Sequence, residues 1–293
     1  MTLKAFGKKI EGVFARIKQR RIVYVLLHKV GLREVLMRHA DDPFPDVPIG
    51  KDCPVWILWW QGEAQMPDIV RASVNSIRLH AGSHKVVMLT KDNFSDYADI
   101  PPYILQKMET GAITLTHFSD ILRATLQSQH GGIWMDSTVL LPRKNLDDFI
   151  PAEKPFWTCH HRPIYHNISR GGWTGFFWAC GAGNPLATTL RDLFFRYWEK
   201  RDSLIVYLLI DYTFALTRRY VPAVAQMVEA VPITVMGPLG KRLNEPYSPE
   251  TWEAYCTDYD FHKLTYKITL NTHTPDGSLT NYGYILEQFL PRG

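Results

Sequence analysis

The chain has 293 residues, enough for one large core with a small appendage. Hydrophobic residues at 46% and charged residues at 21% exclude a disordered chain, and the 13% aromatic content, with 9 Trp, suits sugar stacking or a large core equally. The formal charge of +4 is unevenly spread: residues 1–40 hold ten basic side chains against Glu11 and Glu34, a local +8, so the remaining 253 residues sum to −4. A basic leading segment on a mildly acidic body confines any anionic surface partner to that segment, and no nucleic-acid partner is expected.

The first forty residues read as helical, with Leu3, Phe6, Ile10, Val13, Phe14 and Ile17 recurring at three- and four-residue steps. Two readings stand. The segment docks on an anionic membrane surface, which would place a cytoplasmic protein peripherally on the inner face of the plasma membrane. Alternatively it forms a helix hairpin packed on the main body, its charges solvated. The run Ile22–Leu27 is too short to span a bilayer, and the N-terminus lacks the pattern of a secretory signal. Four scattered cysteines, Cys53, Cys159, Cys180 and Cys256, show no zinc or redox spacing and read as reduced, buried thiols. The proline-rich acidic stretch Asp41–Pro48 marks a boundary, dividing the chain into 1–48 and 49–293.

Past the boundary, Pro54–Trp60 reads as a buried strand, and Ile69, Val70, Val74 and Ile77 mark the apolar face of a helix. Lys85–Thr90 and Ala112–Thr116 read as further strands. Alternating strands and helices imply an α/β domain with a mostly parallel central sheet. The tryptophans at 56, 59 and 60 cannot share one face, because alternate strand residues point opposite ways; core and ligand contact both remain open for them.

The segment 117–141 is the most informative. Phe118, Ile121, Leu122, Thr125 and Leu126 trace one helix face, and Asp120 and Arg123 lie i,i+3 on the other flank, able to converge on one ligand. Gly131-Gly132 then feeds a strand, Ile133–Leu141, with Trp134, Asp136 and Thr138 on one side. An acid at the carboxyl end of a parallel strand lies where α/β enzymes hold ligands.

Beyond residue 150 the pattern loosens. Cys159–His166 carries metal-capable side chains without the spacing of a closed site, and reads as surface histidines around a proline turn. Leu204–Leu216 is an apolar helix interrupted by Asp211, which is either a buried structural pair or a wall of the active site. Phe261–Lys267 sets His262 and Lys267 around a short strand-like piece.

Three blocks carry a resemblance: Phe118-Ser-Asp-Ile-Leu-Arg followed by Gly131-Gly-Ile-Trp-Met-Asp-Ser-Thr, the opening Pro54–Gly62, and the closing His262–Lys267. Together they resemble the bacterial capsular polysaccharide synthesis glycosyltransferases, relatives of fungal initiating mannosyltransferases and clostridial glucosylating toxins. The resemblance implies a GT-A type domain and a retaining hexosyl transfer from a nucleoside diphosphate sugar, expected to be a UDP-hexose. The acceptor would be a glycan or lipid-linked glycan of a surface polysaccharide. Asp120 and Arg123 would hold sugar hydroxyls, and Asp136 the ribose, sugar or metal; Asp211, if it is an active-site wall, joins them as a catalytic candidate from outside the resemblance. Trp59 or Trp60 would stack near the base, with Gln61, Trp134 and Lys267 also lining the donor site. Carboxylates accept from hydroxyl pairs and a guanidinium donates in a fixed fork, which is the chemistry sugar and phosphate oxygens need.

Relatives carry Asp-x-Asp at the strand end, where a divalent cation meets the diphosphate. Here the second position is Thr138. The expected metal set is therefore Asp136, Thr138 and His262, with Mn²⁺ or Mg²⁺ stimulating rather than strictly required. Two rival functions accompany this reading: a non-catalytic sugar-binding scaffold of a polysaccharide assembly complex, and a phosphosugar or phosphocholine transferase.

Overall fold

The computed structural model describes residues 3–160 and 167–290, with side chains described from Phe14 onward. The apolar side chains of Leu3, Phe6, Ile10 and Val13, and most of the histidine-rich stretch, lie outside the described residues. Helix α1 (Leu3–Tyr24) runs into a π-helical turn at Val25–Lys29; Gly31, at φ 80°, then redirects the chain into α2 (Leu32–Arg38). There follow β1 (Val55–Leu58), α3 (Asp68–Leu79), β2 (Val86–Leu89), α4 (Pro102–Glu109), α5 (Leu115–His130), β3 (Gly132–Met135) and β4 (Val139–Leu140). The second half holds β5 (Phe156–Thr158), β6 (Phe177–Cys180), α6 (Pro185–Lys200), α7 (Leu209–Tyr220), α8 (Pro222–Glu229), α9 (Pro249–Asp258), β7 (His262–Lys263) and α10 (Asn281–Phe289).

The central sheet has the order β2-β1-β3-β6-β5. Strand β1 pairs in parallel with β2 and β3, whereas β6 runs antiparallel to both β3 and β5, so four of the five strands share one direction. The α/β class and the mostly parallel sheet are thus as expected. Trp134, Trp157 and Trp178 are fully buried in this sheet, which is where much of the aromatic excess goes. Helix α5 packs on α6, and α6 in turn on α7 and α2. All four cysteines are unpaired.

Three local readings are corrected. Ala112–Thr116 is no strand: Thr114 Oγ1 accepts from the His117 N–H at 3.3 Å and caps α5, so its β-branched residues serve a helix start. The strand after Gly131-Gly132 stops at Met135. A turn closed by the Val139 N–H on the Asp136 carbonyl (2.9 Å) then leads into β4, which pairs with β7 in a separate two-stranded sheet. Helix α7 starts only at Leu209, placing Asp211 in its first turn.

The stretch 41–48 is not a break in the packing. Leu26, Leu27, Val30, Leu32, Val35 and Leu36 are buried in the same core as the sheet. His39 bridges Asp42 (2.7 Å) and Asp192 of α6 (3.0 Å), and Arg196 of α6 pairs with Glu34. A Cβ on Gly181 would lie 2.2 Å from the Val47 carbonyl oxygen, so the connector is pressed onto the end of β6. Among the described residues no helix is long and apolar enough to cross a membrane.

Candidate active site

The site begins with the glycine pair. Gly131 has φ 67° and ψ −154°, and a Cβ there would meet the Ala182 amide nitrogen at 2.5 Å; one on Gly132 (φ 102°) would meet the Pro54 carbonyl oxygen at 2.5 Å. Only glycine allows α5 to reverse this tightly into β3, and the reversal sets Asp120 and Arg123 of the helix against Asp136 at the strand end. The Trp56 indole N–H holds the Gly131 carbonyl at 2.9 Å and locks the turn.

Above the carboxyl ends of β1 and β3 opens a cavity of about 390 Å³. Trp59, Trp60 and Gln61 from the end of β1, Trp134, Asp136 and Thr138 from the end of β3, and Lys267 all line it. Trp60 also packs edge-on against Phe118, while Trp59 meets Tyr266 edge-on with ring centroids 5.6 Å apart. The Trp59 indole N–H is buried without a hydrogen-bond partner among the described residues.

Asp136 is the only carboxylate lining this cavity among the described residues. Its Oδ1 accepts from the Trp134 indole N–H at 3.1 Å and lies 3.6 Å from the Arg123 guanidinium; its Oδ2 accepts from Lys263 Nζ at 2.9 Å. Burial pushes the carboxyl pKa up, but Lys263 and Arg123 outweigh it and hold the group below the ordinary carboxylate range. Lys263 Nζ also donates to Thr138 Oγ1 and lies 5.3 Å from the centre of the Phe176 ring.

Asp120 and Arg123 lie behind this wall and do not line the cavity. Their side chains are only 9% and 6% exposed and pair at 3.1 Å. Arg123 is fixed further by the Ser119 carbonyl (3.1 Å), the Ser119 hydroxyl (3.0 Å) and the Gly175 carbonyl, and its guanidinium sits 4.8 Å over the Trp134 ring. The pair therefore orients Asp136 and Trp134 from beneath.

Asp211 lies in an adjoining groove of about 340 Å³ that shares Tyr207 with the main cavity. It accepts from the Trp173 indole N–H at 3.1 Å, and burial, reinforced by the Asp120 carboxylate, pushes its pKa up to about 6.

His262 does not face the cavity. In β7 it pairs opposite Leu140, its ring lies against Gly237, and burial lowers its pKa to about 4. Neighbouring residues of a strand point to opposite faces, so burying His262 turns Lys263 toward Asp136 and Thr138. Lys263 was the residue missed in the sequence reading: the alternation Phe261, His262, Lys263, Leu264 carried the signal, but which face was core depended on β4. Among the described residues no group of three or more His, Cys, Asp or Glu could hold a metal ion. Asp136 and Thr138, the one carboxylate and one hydroxyl of the expected metal set that face the cavity, are both engaged by the Lys263 ammonium.

The family model for capsular polysaccharide synthesis proteins matches residues 32–282, and the chain belongs to that family. The match starts at the first residue of α2. The O-glycosyltransferase braB of Annulohypoxylon truncatum is 26% identical over 169 residues, 52% of this chain and 39% of that protein. The solved apo structure of the bifunctional glycosyltransferase WbbM superposes with a TM-score of 0.44 at 10% identity, over 85% of this chain and 51% of that one. The chain thus spans about half the length of that structure and less of the curated relative.

Proposed function

We propose that this chain is a glycosyltransferase that moves a hexose from a nucleoside diphosphate sugar, a UDP-hexose, to a surface-polysaccharide glycan. Family membership and the braB likeness support the class. The observation that carries the site is Asp136 held between Lys263 and Arg123 at the mouth of parallel strands. In this reading Trp59 and Tyr266 flank the base, and the unpartnered Trp59 N–H meets one of its oxygens. Asp136 accepts from donor hydroxyls. Lys263, with Lys267 at the rim, faces the diphosphate as the anomeric C–O bond breaks and negative charge gathers on the leaving oxygen.

Retention of configuration is part of the proposal. An inverting reaction needs a general base, such as a carboxylate or His, opposite the leaving group. Among the described residues the sole acid in the cavity, Asp136, is ion-paired and weakly basic, and Asp211 lies in the neighbouring groove. NMR of the fresh product decides this; a β-linked sugar from an α-linked donor would refute retention.

Lys263 also supplies a fixed positive charge at the strand end, so turnover should persist in chelator, stimulated by Mn²⁺ or Mg²⁺ at most. Complete loss in chelator, fully restored by Mn²⁺, would overturn that point. The primary test is a screen of UDP- and GDP-hexoses for binding, hydrolysis and transfer with the wild type, Asp136→Asn and Lys263→Met. Each variant should lower turnover by about a hundredfold or more, the loss typical of removing one group that stabilises developing charge. Near-normal turnover in Asp136→Asn would sink the site assignment.

Attachment to an anionic membrane face belongs to the same proposal. On α1, Phe14 and Ile17 are 68% and 57% exposed beside the exposed Arg16, Lys18, Arg20 and Arg21, the mixture that binds lipid headgroups.

A further inference from the structure

A second groove, of about 410 Å³, runs between α1, the loop ending at Arg170, and the end of α7. Four arginines line it, Arg16 and Arg20 on one bank, Arg170 and Arg219 on the other, and among the described residues no carboxylate does. Among the described residues none of the four is in an ion pair, whereas the adjacent Arg218 is paired with Glu229 at 2.8 Å. Between the charges lie the apolar Val23, Leu27 and Ile168, with Gln19, Tyr24 and His28 also on the lining. Unpaired guanidinium groups over a hydrocarbon floor match an amphiphilic anion: a phosphate or pyrophosphate ester of an alkyl or prenyl chain.

Location gives this groove its role. It shares Gln19 and Ile168 with the Asp211 groove, and the Asp211 groove shares Tyr207 with the donor cavity. The three depressions therefore lie in series, from Asp136 past Asp211 to the arginines. We infer that the arginine groove binds the phosphate or pyrophosphate of a lipid-linked acceptor, whose glycan lies along the Asp211 groove and presents its hydroxyl to the donor. This rests on the glycosyltransferase reading for the use of the three depressions, but the anion site stands on its own lining.

The test is calorimetry with geranyl pyrophosphate in the presence of saturating UDP, on the full chain. Arg170 and Arg219 are both exposed and lie off α1, so Arg170→Glu/Arg219→Glu leaves the fold and the α1 face intact. The wild type should bind the probe, and the double variant should bind at least about tenfold more weakly, the loss of one charge-assisted contact or more. Geraniol and inorganic pyrophosphate should each bind less tightly than the prenyl pyrophosphate, since each lacks half of the recognised ligand. Probe binding should be the same in Lys263→Met. If UDP fails to bind while the arginine dependence holds, the donor reading falls and the anion site stands. Equal binding by the double variant, or displacement of the probe by UDP, overturns the inference. So does a double variant that loses phosphatidylglycerol vesicles but keeps the probe, which would make the arginines a membrane-surface patch.

Discussion

Two titratable groups, the half-buried Asp211 and the buried His262, carry opposite linkages in nearly the same pH window. The Asp211 carboxyl rises from 3.8 to about 6, so between those values the native state binds more protons than the unfolded chain and stability falls as pH rises. His262 falls from 6.5 to about 4, so its native state binds fewer protons and stability falls as pH drops. At 1.36 kcal/mol per unit, each contributes a swing of about 3 kcal/mol, and the two nearly cancel. Asp211→Asn, which still accepts from Trp173, should therefore make the denaturant midpoint fall steeply between pH 6.5 and 4. His262→Gln should do the reverse and gain stability on acidification to about pH 4. Parallel pH profiles for wild type and both variants would show that neither side chain is shifted by its burial.

At the scale of elements, the reversal from α5 into β3 is what assembles the site. Gly131 occupies a backbone region essentially reserved for glycine, and its Cβ position is filled by the Ala182 nitrogen and Cys180 oxygen. Gly131→Ala should lower stability by about 1–3 kcal/mol from conformation alone, with more from the overlap. Because the turn holds Arg123 and Asp136 in register, donor affinity should fall with it. Thr114→Ala, at the other end of the same helix, should remove only a cap, about 1 kcal/mol, and leave donor affinity unchanged. Urea unfolding and donor titration of both variants check the contrast; equal effects on donor affinity would separate the turn from the site.

For the whole molecule, the question is how much of the basic leader the fold needs. Ile22, Leu26, Leu27, Val30, Leu32, Val35 and Leu36 are all buried in the common core. Losing the burial of such side chains costs about 1.5–3 kcal/mol each, so seven together cost roughly 10–21 kcal/mol, comparable to the whole 5–15 kcal/mol that a domain typically has. Deleting residues 1–40 should therefore yield an aggregating chain, while deleting 1–21 should leave a cooperative unfolding transition. The shorter deletion should also abolish binding to anionic vesicles, since it removes Phe14, Ile17 and their basic neighbours. Sedimentation and circular dichroism distinguish the two truncations, and a folded, soluble product from the longer one would restore the boundary at 48.

Much of this protein is determined locally along its chain. The β-branched and aromatic runs around Trp56 and Val87 read as strands, and the spacing of Ile69, Val70, Val74 and Ile77 as one face of a helix. The order helix acid, helix arginine, double glycine, strand acid was legible too, because short-range geometry alone sets Asp120, Arg123 and Asp136 on consecutive elements. What tertiary structure decided was depth and facing. Asp120 and Arg123 lie beneath the cavity because α6 and the Gly175 loop close over them. The ammonium at Asp136 and Thr138 belongs to Lys263 because β7 pairs antiparallel with β4 over a separation of more than a hundred residues. A two-residue strand has no period from which to read its inner face, so only the partner strand could turn His262 into the core and Lys263 into the site.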